Sequence, residues 1–205
     1  MVDKYQNFAE LAANEVEGTD YRITVMDRPS EIAVIAIHAG AIEGGTSELT
    51  QEVTAETFSS YMFEAIKSSG NTALHITSTH FDEPRALDLV GKSAYCLSLH
   101  GYNDTVNKHT LIGGADHDLK HKAYQALVAA GFSAEILPEE DRLSGSDPDN
   151  ICNKTTRCKG LQLEISTAQR GAFFSVNTSS GRKNSQTDEF YRYTGALKNV
   201  LASLT

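Results

Sequence analysis

The sequence predicts an α/β fold with a mixed, mostly parallel sheet. Short apolar runs rich in β-branched residues alternate along the chain with segments in which apolar residues recur at helical spacing. Functional sites of such folds form at the carboxyl ends of the strands. The chain has 205 residues, 40% of them hydrophobic, and no repeat or linker-like stretch divides it. We therefore predict one domain over residues 1–205.

The first half of the chain predicts two helices and three strands. Apolar residues at helical spacing predict a helix over 5–16, and alternating polarity predicts an edge strand over 21–26. The continuous apolar run at 32–37 predicts a strand buried on both faces. Residues that commonly cap helices begin a helical pattern over 46–67, and TALHIT at 72–77 predicts the third strand.

The second half repeats this alternation. PRALDLVGK predicts a short helix or a loop. Asp116 is a suitable N-cap for a helix over 116–130, and Gly131 lies just past its end. A closing helix is predicted over 188–201. The remaining strand-like segments are residues 93–99, 110–112, 133–137, 161–165 and 172–176.

Charge and hydropathy argue against several classes of protein. The net charge of −9 disfavours a nucleic-acid binder. No segment has the length of a membrane span, so we expect no membrane partner. The first twenty residues carry acids throughout and lack an apolar core, which predicts no signal peptide and synthesis in the cytoplasm. We also expect a monomer.

The three cysteines do not form a disulfide framework. Cys96 lies in an apolar run and is predicted to be a buried thiol. Cys152 and Cys158 bracket the polar segment NKTTR. They could close that loop as a disulfide in an oxidising compartment or remain free thiols, and the spacing leaves both open.

Four polar residues sit on or beside the apolar strands. The strand at 32–37 leads into His38, with Glu43 five positions further on in a loop of small residues. The strand at 93–99 leads into His100, and Glu164 lies inside the apolar run LQLEI. Two imidazoles and a carboxylate suit zinc and leave a fourth position for water, which is the catalytic pattern. Zinc lowers the pKa of such a water toward ~7, and Glu164 is the best candidate to accept its proton.

Structural explanations compete with this one. A single histidine at a strand end is more often hydrogen-bonded than metal-bound, and H-x4-E is not a standard zinc motif. An unpaired glutamate inside an apolar strand, however, is costly to bury without a function. His75 is predicted to lie in the core or beside the ligands, whereas His80 is a rival for a ligand or an active-site donor. The sequence contains neither G-x-S-x-G nor a P-loop, which disfavours serine hydrolases and P-loop enzymes.

Four segments together resemble the phage-type poly-γ-glutamate hydrolases, which are related in fold to the zinc carboxypeptidases. These segments are HAGAIEGGTSEL, HITSTHFDEPRAL, LSLHGY and GLQLEIS with Arg170 after it, and the resemblance runs from Tyr5 to the final helix. It implies a three-layer α/β/α sandwich with an open, twisted, mixed sheet. In the carboxypeptidases two residues separate the histidine from the glutamate, and here four do, so the geometry of this loop is open.

The resemblance also implies a function and a set of site residues. It implies endo-acting cleavage of γ-glutamyl amide bonds in a host capsule polymer, reached outside the cell after host lysis. It implies one Zn²⁺ per chain held by His38, Glu43 and His100, with Glu164 as general base. A zinc carboxypeptidase or a cell-wall peptide amidase could use the same site. A metal-dependent module that only binds the polymer is the non-enzymatic alternative.

A polymer with a carboxylate on every residue requires cations in its groove. Arg85 and Arg170 are the candidates, since a guanidinium binds a carboxylate bidentately or stabilises an oxyanion. We expect Arg85 to act in catalysis and Arg170 to bind substrate, although Arg85 could equally form a structural ion pair with the acids before it. His80 and Gly101 are expected to contact substrate as well.

Overall fold

The computed structural model describes residues 3–204, whose seven strands form one mixed sheet. The strands are β1 (Tyr21–Met26), β2 (Ile32–Gly40), β3 (Ser59–Ala65), β4 (Tyr95–Tyr102), β5 (Thr110–Gly113), β6 (Ala134–Ile136) and β7 (Leu161–Ser166). Their order is β1-β3-β2-β4-β7-β5-β6. The central strands β3, β2, β4 and β7 are parallel, whereas β1 and β5 pair antiparallel with their inner neighbours. This confirms the predicted mixed α/β sheet.

Helices cover both faces of the sheet, which confirms the three-layer architecture. They are α1 (Phe8–Asn14), α2 (Thr46–Thr54), α3 (Pro84–Lys92), α4 (His117–Ala129), α5 (Thr167–Ala172) and α6 (Asp188–Ala202). Side chains of α2, α4 and α6 pack with Val34 and Leu163 in one core. Side chains of α1 and α3 pack with Ile35 and Phe63 in the other. Both cores are buried because the central strands are apolar on both faces.

The helix predicted over 46–67 is wrong. It ends at Thr54, where Ala55 adopts a φ of +42°, and β3 follows. Every residue of β3 is buried, so the strand lacks the polar alternation that would distinguish it from a helix.

Two predicted strands are also wrong. TALHIT contributes a 3₁₀ turn, Asn71–Leu74, and then a loop, although Leu74 and Ile76 still point into the core. The segment 172–176 follows α5 and makes a single bridge between Phe174 and Gln186. In both segments burial comes from packing under the sheet rather than from strand pairing. The other predicted elements are present: β1 and α3 have the predicted ends, and the rest have shifted ends.

The remaining sequence predictions have mixed outcomes. Cys96 and Cys152 are buried free thiols, and Cys158 is an exposed one. Within residues 3–204, no helix is both long enough and apolar enough to cross a membrane. The side chain of Asp116 accepts a hydrogen bond from the Leu119 amide at 3.2 Å, as an N-cap should.

Asp116 gives a stability prediction. Its carboxylate is buried, caps α4 and lies 2.8 Å from the Arg157 guanidinium, in an orientation that does not suit a hydrogen bond. Asp116→Ala should lower the free energy of unfolding by about 1–3 kcal/mol, because a cap is lost and a basic loop loses its counterion. Urea unfolding measures this. The exposed Asp118 of the same helical turn supplies the control, Asp118→Ala, which should be nearly neutral; equal losses in both variants would contradict the assignment.

Candidate metal centre and active site

The loop after β2 folds back on itself and joins His38 to Glu43. The pairing of β2 with β3 shifts register between Ala36 and Ala39, and such a bulge changes the direction of the side chains beside it. The Glu43 amide donates to the His38 carbonyl at 2.9 Å and closes the turn. As a result, the Glu43 carboxylate lies 3.0 Å from His38 Nδ1.

Gly40 makes this turn possible. Its φ is +70°, and a Cβ there would lie 2.5 Å from the carbonyl oxygen of Ala65 in β3. No other residue fits without moving the neighbouring strand. The Gly40 amide also donates to Ser47 Oγ, whose hydroxyl donates to the buried carboxylate of Glu64. The loop is therefore fixed to both β3 and α2.

Both histidines are oriented through their Nε2 atoms. His38 Nε2 lies 2.8 Å from the Ile76 carbonyl oxygen, and His100 Nε2 lies 2.8 Å from Ser98 Oγ. A carbonyl only accepts hydrogen bonds, so His38 carries its proton on Nε2 and presents the lone pair of Nδ1. The two Nδ1 atoms face each other at 3.1 Å.

The three donors have the spacing that one zinc ion requires. His38 Nδ1 lies 3.0 Å from Glu43 Oε1, His100 Nδ1 lies 3.6 Å from Glu43 Oε2, and the two Nδ1 atoms are 3.1 Å apart. Ligands around a tetrahedral ion with bonds of ~2.0–2.1 Å lie roughly 3.3–3.4 Å from one another. The donor set and its spacing therefore fit zinc, with a fourth position left for water or substrate.

His75 also lies near these three donors, but its orientation does not suit ligation of the same ion. His38, Glu43 and His75 can place one donor atom each within 4.8 Å of the others. However, the His75 ring stacks on the His38 ring, with centroids 3.9 Å apart and planes 28° apart. Nitrogen lone pairs lie in the ring plane, so two stacked rings do not direct them at one ion. We therefore assign the third position to His100.

Glu43 and His100 each shift the pKa of the other toward the charged form. Burial raises the pKa of Glu43, but its interactions with the His38 and His100 imidazoles outweigh burial and hold the pKa well below its usual range. Burial lowers the pKa of His100, but hydrogen bonding to Glu43 and the charge of Glu164 raise it overall. A metal ion bound by these groups would compete with a proton for them.

Glu164 lies next to this cluster on β7. It is the register partner of His100 on β4 and is almost fully buried. Its Oε1 accepts a hydrogen bond from Gln162 Nε2 at 3.1 Å. Burial raises its pKa to about 7 against the opposing charge of His100. A carboxyl group with a pKa near neutrality can both accept and return a proton at physiological pH.

Arg170 supplies a buried cation beside these groups. Its Nε donates to the Ile165 carbonyl at 3.0 Å and one terminal nitrogen donates to the Gly44 carbonyl at 2.7 Å. The other terminal nitrogen lies 3.4 Å from Thr167 Oγ1. Within residues 3–204, no carboxylate lies within ion-pair distance of this guanidinium. A buried charge whose partners are two carbonyls and a hydroxyl, with no carboxylate among them, suits an anionic ligand.

Gly101 provides the space that Arg170 occupies. A Cβ at Gly101 would lie 2.4 Å from the central carbon of the guanidinium. The Gly101 amide donates to Glu43 Oε2 at 2.9 Å. Because Gly101 has no side chain, its backbone contacts the Glu43 carboxylate while the Arg170 guanidinium packs against it.

Two predicted site residues lie apart from this cluster. Arg85 begins α3 and forms ion pairs with Glu17 at 3.0 Å and Glu83 at 2.8 Å, which is the structural alternative. His80 is exposed and lines an open depression of about 600 Å³ with Gln6, Asn7, Thr79, Phe81, Asp82, Leu87 and Lys154. The structure thus leaves Arg85 and His80 outside the cluster. It brings together the other six predicted residues, which are His38, Glu43, His100, Gly101, Glu164 and Arg170.

Two arginines near the site were not predicted. Arg182 is buried, pairs with Glu48 at 3.3 Å and packs against Gly44. Arg142 is exposed, and its charge acts on Glu164. Arg182 starts a short 3₁₀ turn and Arg142 lies in a loop; no motif surrounds either residue, so only the folded chain brings them to the site.

Comparison with known proteins gives consistent matches over nearly the whole chain. The family model for poly-γ-glutamate hydrolase matches residues 5–196. The SPβ prophage-derived UPF0714 protein YoqZ of Bacillus subtilis (strain 168) is 46% identical over 97% of this chain and 72% of its own length. A solved bacteriophage poly-γ-glutamate hydrolase superposes with a TM-score of 0.93 at 42% identity, covering 99% of this chain and 98% of its own. A zinc-free apo structure of YndL gives a TM-score of 0.95 at 40% identity, with 99% of both chains covered.

The elevated pKa of Glu164 predicts how stability depends on pH. In the metal-free chain the folded state keeps a proton up to about pH 7 that the unfolded chain releases near 4.5. This contribution to the free energy of unfolding is present below pH 4.5 and should be lost as the pH rises to about 7. Urea unfolding across that range should show a smaller decline for Glu164→Gln than for the unmodified chain. The exposed Glu135 supplies the control, Glu135→Gln; a Glu164→Gln curve parallel to that of the unmodified chain would contradict the assignment.

Proposed function

The chain belongs to the poly-γ-glutamate hydrolase family, and from this we propose that it is a zinc-dependent, endo-acting amidohydrolase that cleaves γ-glutamyl amide bonds. One observation carries the zinc assignment: His38, Glu43 and His100 place three donors 3.0–3.6 Å apart with a fourth position open. The zinc-free designation of the YndL apo structure supports a metal in this family.

The proposed mechanism divides the chemistry between three sets of groups. His38, Glu43 and His100 would hold one Zn²⁺, which when bound supplies an activated water and polarises the scissile carbonyl. Glu164 accepts the proton of the attacking water and returns it to the leaving amine, which its pKa of about 7 permits. Arg170 binds a substrate carboxylate or the developing oxyanion.

The cations near the site explain how an acidic protein could bind a polyanion. The net charge is −9, so the chain as a whole repels the polymer. Arg170 donates to the Gly44 carbonyl and has no acid within ion-pair distance among residues 3–204, and the charge of Arg142 acts on Glu164, so cations lie beside the proposed site. We infer that substrate carboxylates are recognised there.

The proposed setting is capsule degradation during phage release. A capsule of poly-γ-glutamate lies outside the cell, so an enzyme made in the cytoplasm would reach it after lysis. The prophage origin stated for YoqZ and the bacteriophage source of the solved hydrolase support this setting.

Replacing the proposed base separates metal binding from turnover. Glu164→Gln should retain about one zinc per chain and lose ~10²–10⁴-fold in kcat, because only the proton acceptor is removed. Zinc is measured by metal analysis, and turnover by the appearance of new amine ends on poly-γ-glutamate. Glu135→Gln, exposed on β6, is the matched control and should keep full activity.

The same assay tests the competing activities. Cleavage of α-peptides or peptidoglycan fragments with no cleavage of poly-γ-glutamate would favour a carboxypeptidase or cell-wall amidase. Tight polymer binding without new ends would favour a binding module. Near-normal turnover of Glu164→Gln would rule out its role as base.

The two candidate arginines can be distinguished by neutralising each in turn. Arg170→Met should lower kcat/KM by roughly 10²-fold, since a buried charge-assisted hydrogen bond to substrate is lost. It should also stop distinguishing the polymer from its carboxyl methyl ester. Arg85→Met should cleave almost normally, because the charge of Arg85 is already paired with Glu17 and Glu83. The reverse outcome would assign the oxyanion or carboxylate contact to Arg85.

A further inference from the structure

The beginning of the chain reaches the loop behind the proposed metal ligand His38. The carboxylate of Asp3 lies 2.7 Å from His75 Nδ1 through Oδ1 and accepts from the Thr77 amide at 2.6 Å through Oδ2. These two residues flank Ile76 in the chain. The Ile76 carbonyl is the group that lies 2.8 Å from His38 Nε2.

From this arrangement we propose that Asp3 is a positioning residue for the metal centre. One carboxylate holds both neighbours of Ile76 and so fixes the carbonyl that sets the tautomer and orientation of His38. The inference rests on the proposed zinc site, and it adds the N-terminal segment to that site. Groups that orient metal ligands from behind typically control metal affinity by about 10–100-fold.

The loop needs such support because no strand pairing holds it. The segment after Asn71–Leu74 is not part of the sheet, so the Ile76 carbonyl is not fixed by a ladder of hydrogen bonds. The contacts of Asp3 are supplemented at the far end of the loop, where the Phe8 amide donates to Asp82 at 2.7 Å. Asp3 and Phe8 thus both contact this loop.

The His75 ring completes the support. It stacks on His38 at 3.9 Å between centroids while its Nδ1 contacts Asp3. Asp3 therefore restrains His38 by two routes, through the stacked ring and through the Ile76 carbonyl.

The segment that carries Asp3 is itself anchored. The Tyr5 hydroxyl donates to Glu15 at 2.5 Å, and Lys67 Nζ donates to the other oxygen of Glu15 at 2.7 Å. The ring of Tyr5 is buried in the core beneath α1 and α3. These contacts fix the backbone next to Asp3, so its carboxylate is held in place against the 75–77 loop.

Zinc affinity of the full chain tests the proposal. Asp3→Ala should raise the zinc Kd about 10-fold, measured by competition with a chromophoric chelator. Asp20→Ala is the matched control, since Asp20 accepts from the Val16 amide in the same region and makes no contact with the 75–77 loop. Its Kd should stay within twofold of the unmodified chain. Asp3→Asn can bridge the same two groups and should restore the Kd to within about threefold.

A third variant separates positioning from ligation by His75. His75→Phe keeps the stacked ring and the bond from Thr77 to Asp3, so its Kd should rise less than that of Asp3→Ala. A loss as complete as in His38→Phe would make His75 a ligand and overturn the proposal. Thermal unfolding of each zinc-free variant checks that the fold is retained.

Two results distinguish this inference from the proposed function. If the unmodified chain binds no zinc, the proposed zinc hydrolase fails and the positioning role fails with it. If the unmodified chain binds zinc and Asp3→Ala binds within twofold as tightly, or if Asp3→Asn loses as much affinity as Asp3→Ala, only the positioning role is overturned.

Discussion

The contact of the Glu43 carboxylate with two facing imidazoles is the interaction on which the rest of the site depends. It requires the chain to reverse within four residues of His38, and the amide of Glu43 closes that reversal on the His38 carbonyl. Only a glycine fits at position 40, because β3 passes too close for a side chain. The packing of β2, the loop after it and β3 therefore sets the position of the Glu43 carboxylate.

Burial gives the polar groups around that contact their chemical character. Glu43 and His100 each favour the charged form of the other, whereas at Glu164 burial outweighs the charge of His100 and raises the pKa to about 7. Arg170 is buried with two carbonyls and the Thr167 hydroxyl as its partners. Burying these carboxylates, imidazoles and the guanidinium costs free energy, so their presence in the interior points to a functional role. Their arrangement fits the proposed metal ion, proton transfer and anionic substrate.

The elements predicted wrongly show where pattern reasoning fails in this fold. The strand β3 is buried at every position, so its residues carry no alternation and extend the apparent helix of α2. TALHIT has the apolar residues of a strand, but they serve a loop that packs beneath the sheet and supports His38. In β3 and in TALHIT the apolar residues correctly predicted burial. Burial alone, however, does not specify whether a segment pairs as a strand.

The sequence by itself determined the mixed α/β class, the family and the clustering of His38, His100 and Glu164 at strand positions, because strand-forming residues leave a local pattern and the motifs stand in order. It could not determine which arginine joins them, since Arg85 and Arg170 both lie in or directly after the segments that carry the family resemblance and either guanidinium could bind a carboxylate. The tertiary structure decided this by pairing Arg85 with Glu17 and Glu83 and leaving Arg170 without an acid. It likewise brought Asp3 to the loop behind His38, a contact 72 positions away in sequence that no local pattern records. Long-range contacts of single polar atoms depend on how the layers pack, and packing is a property of the whole fold.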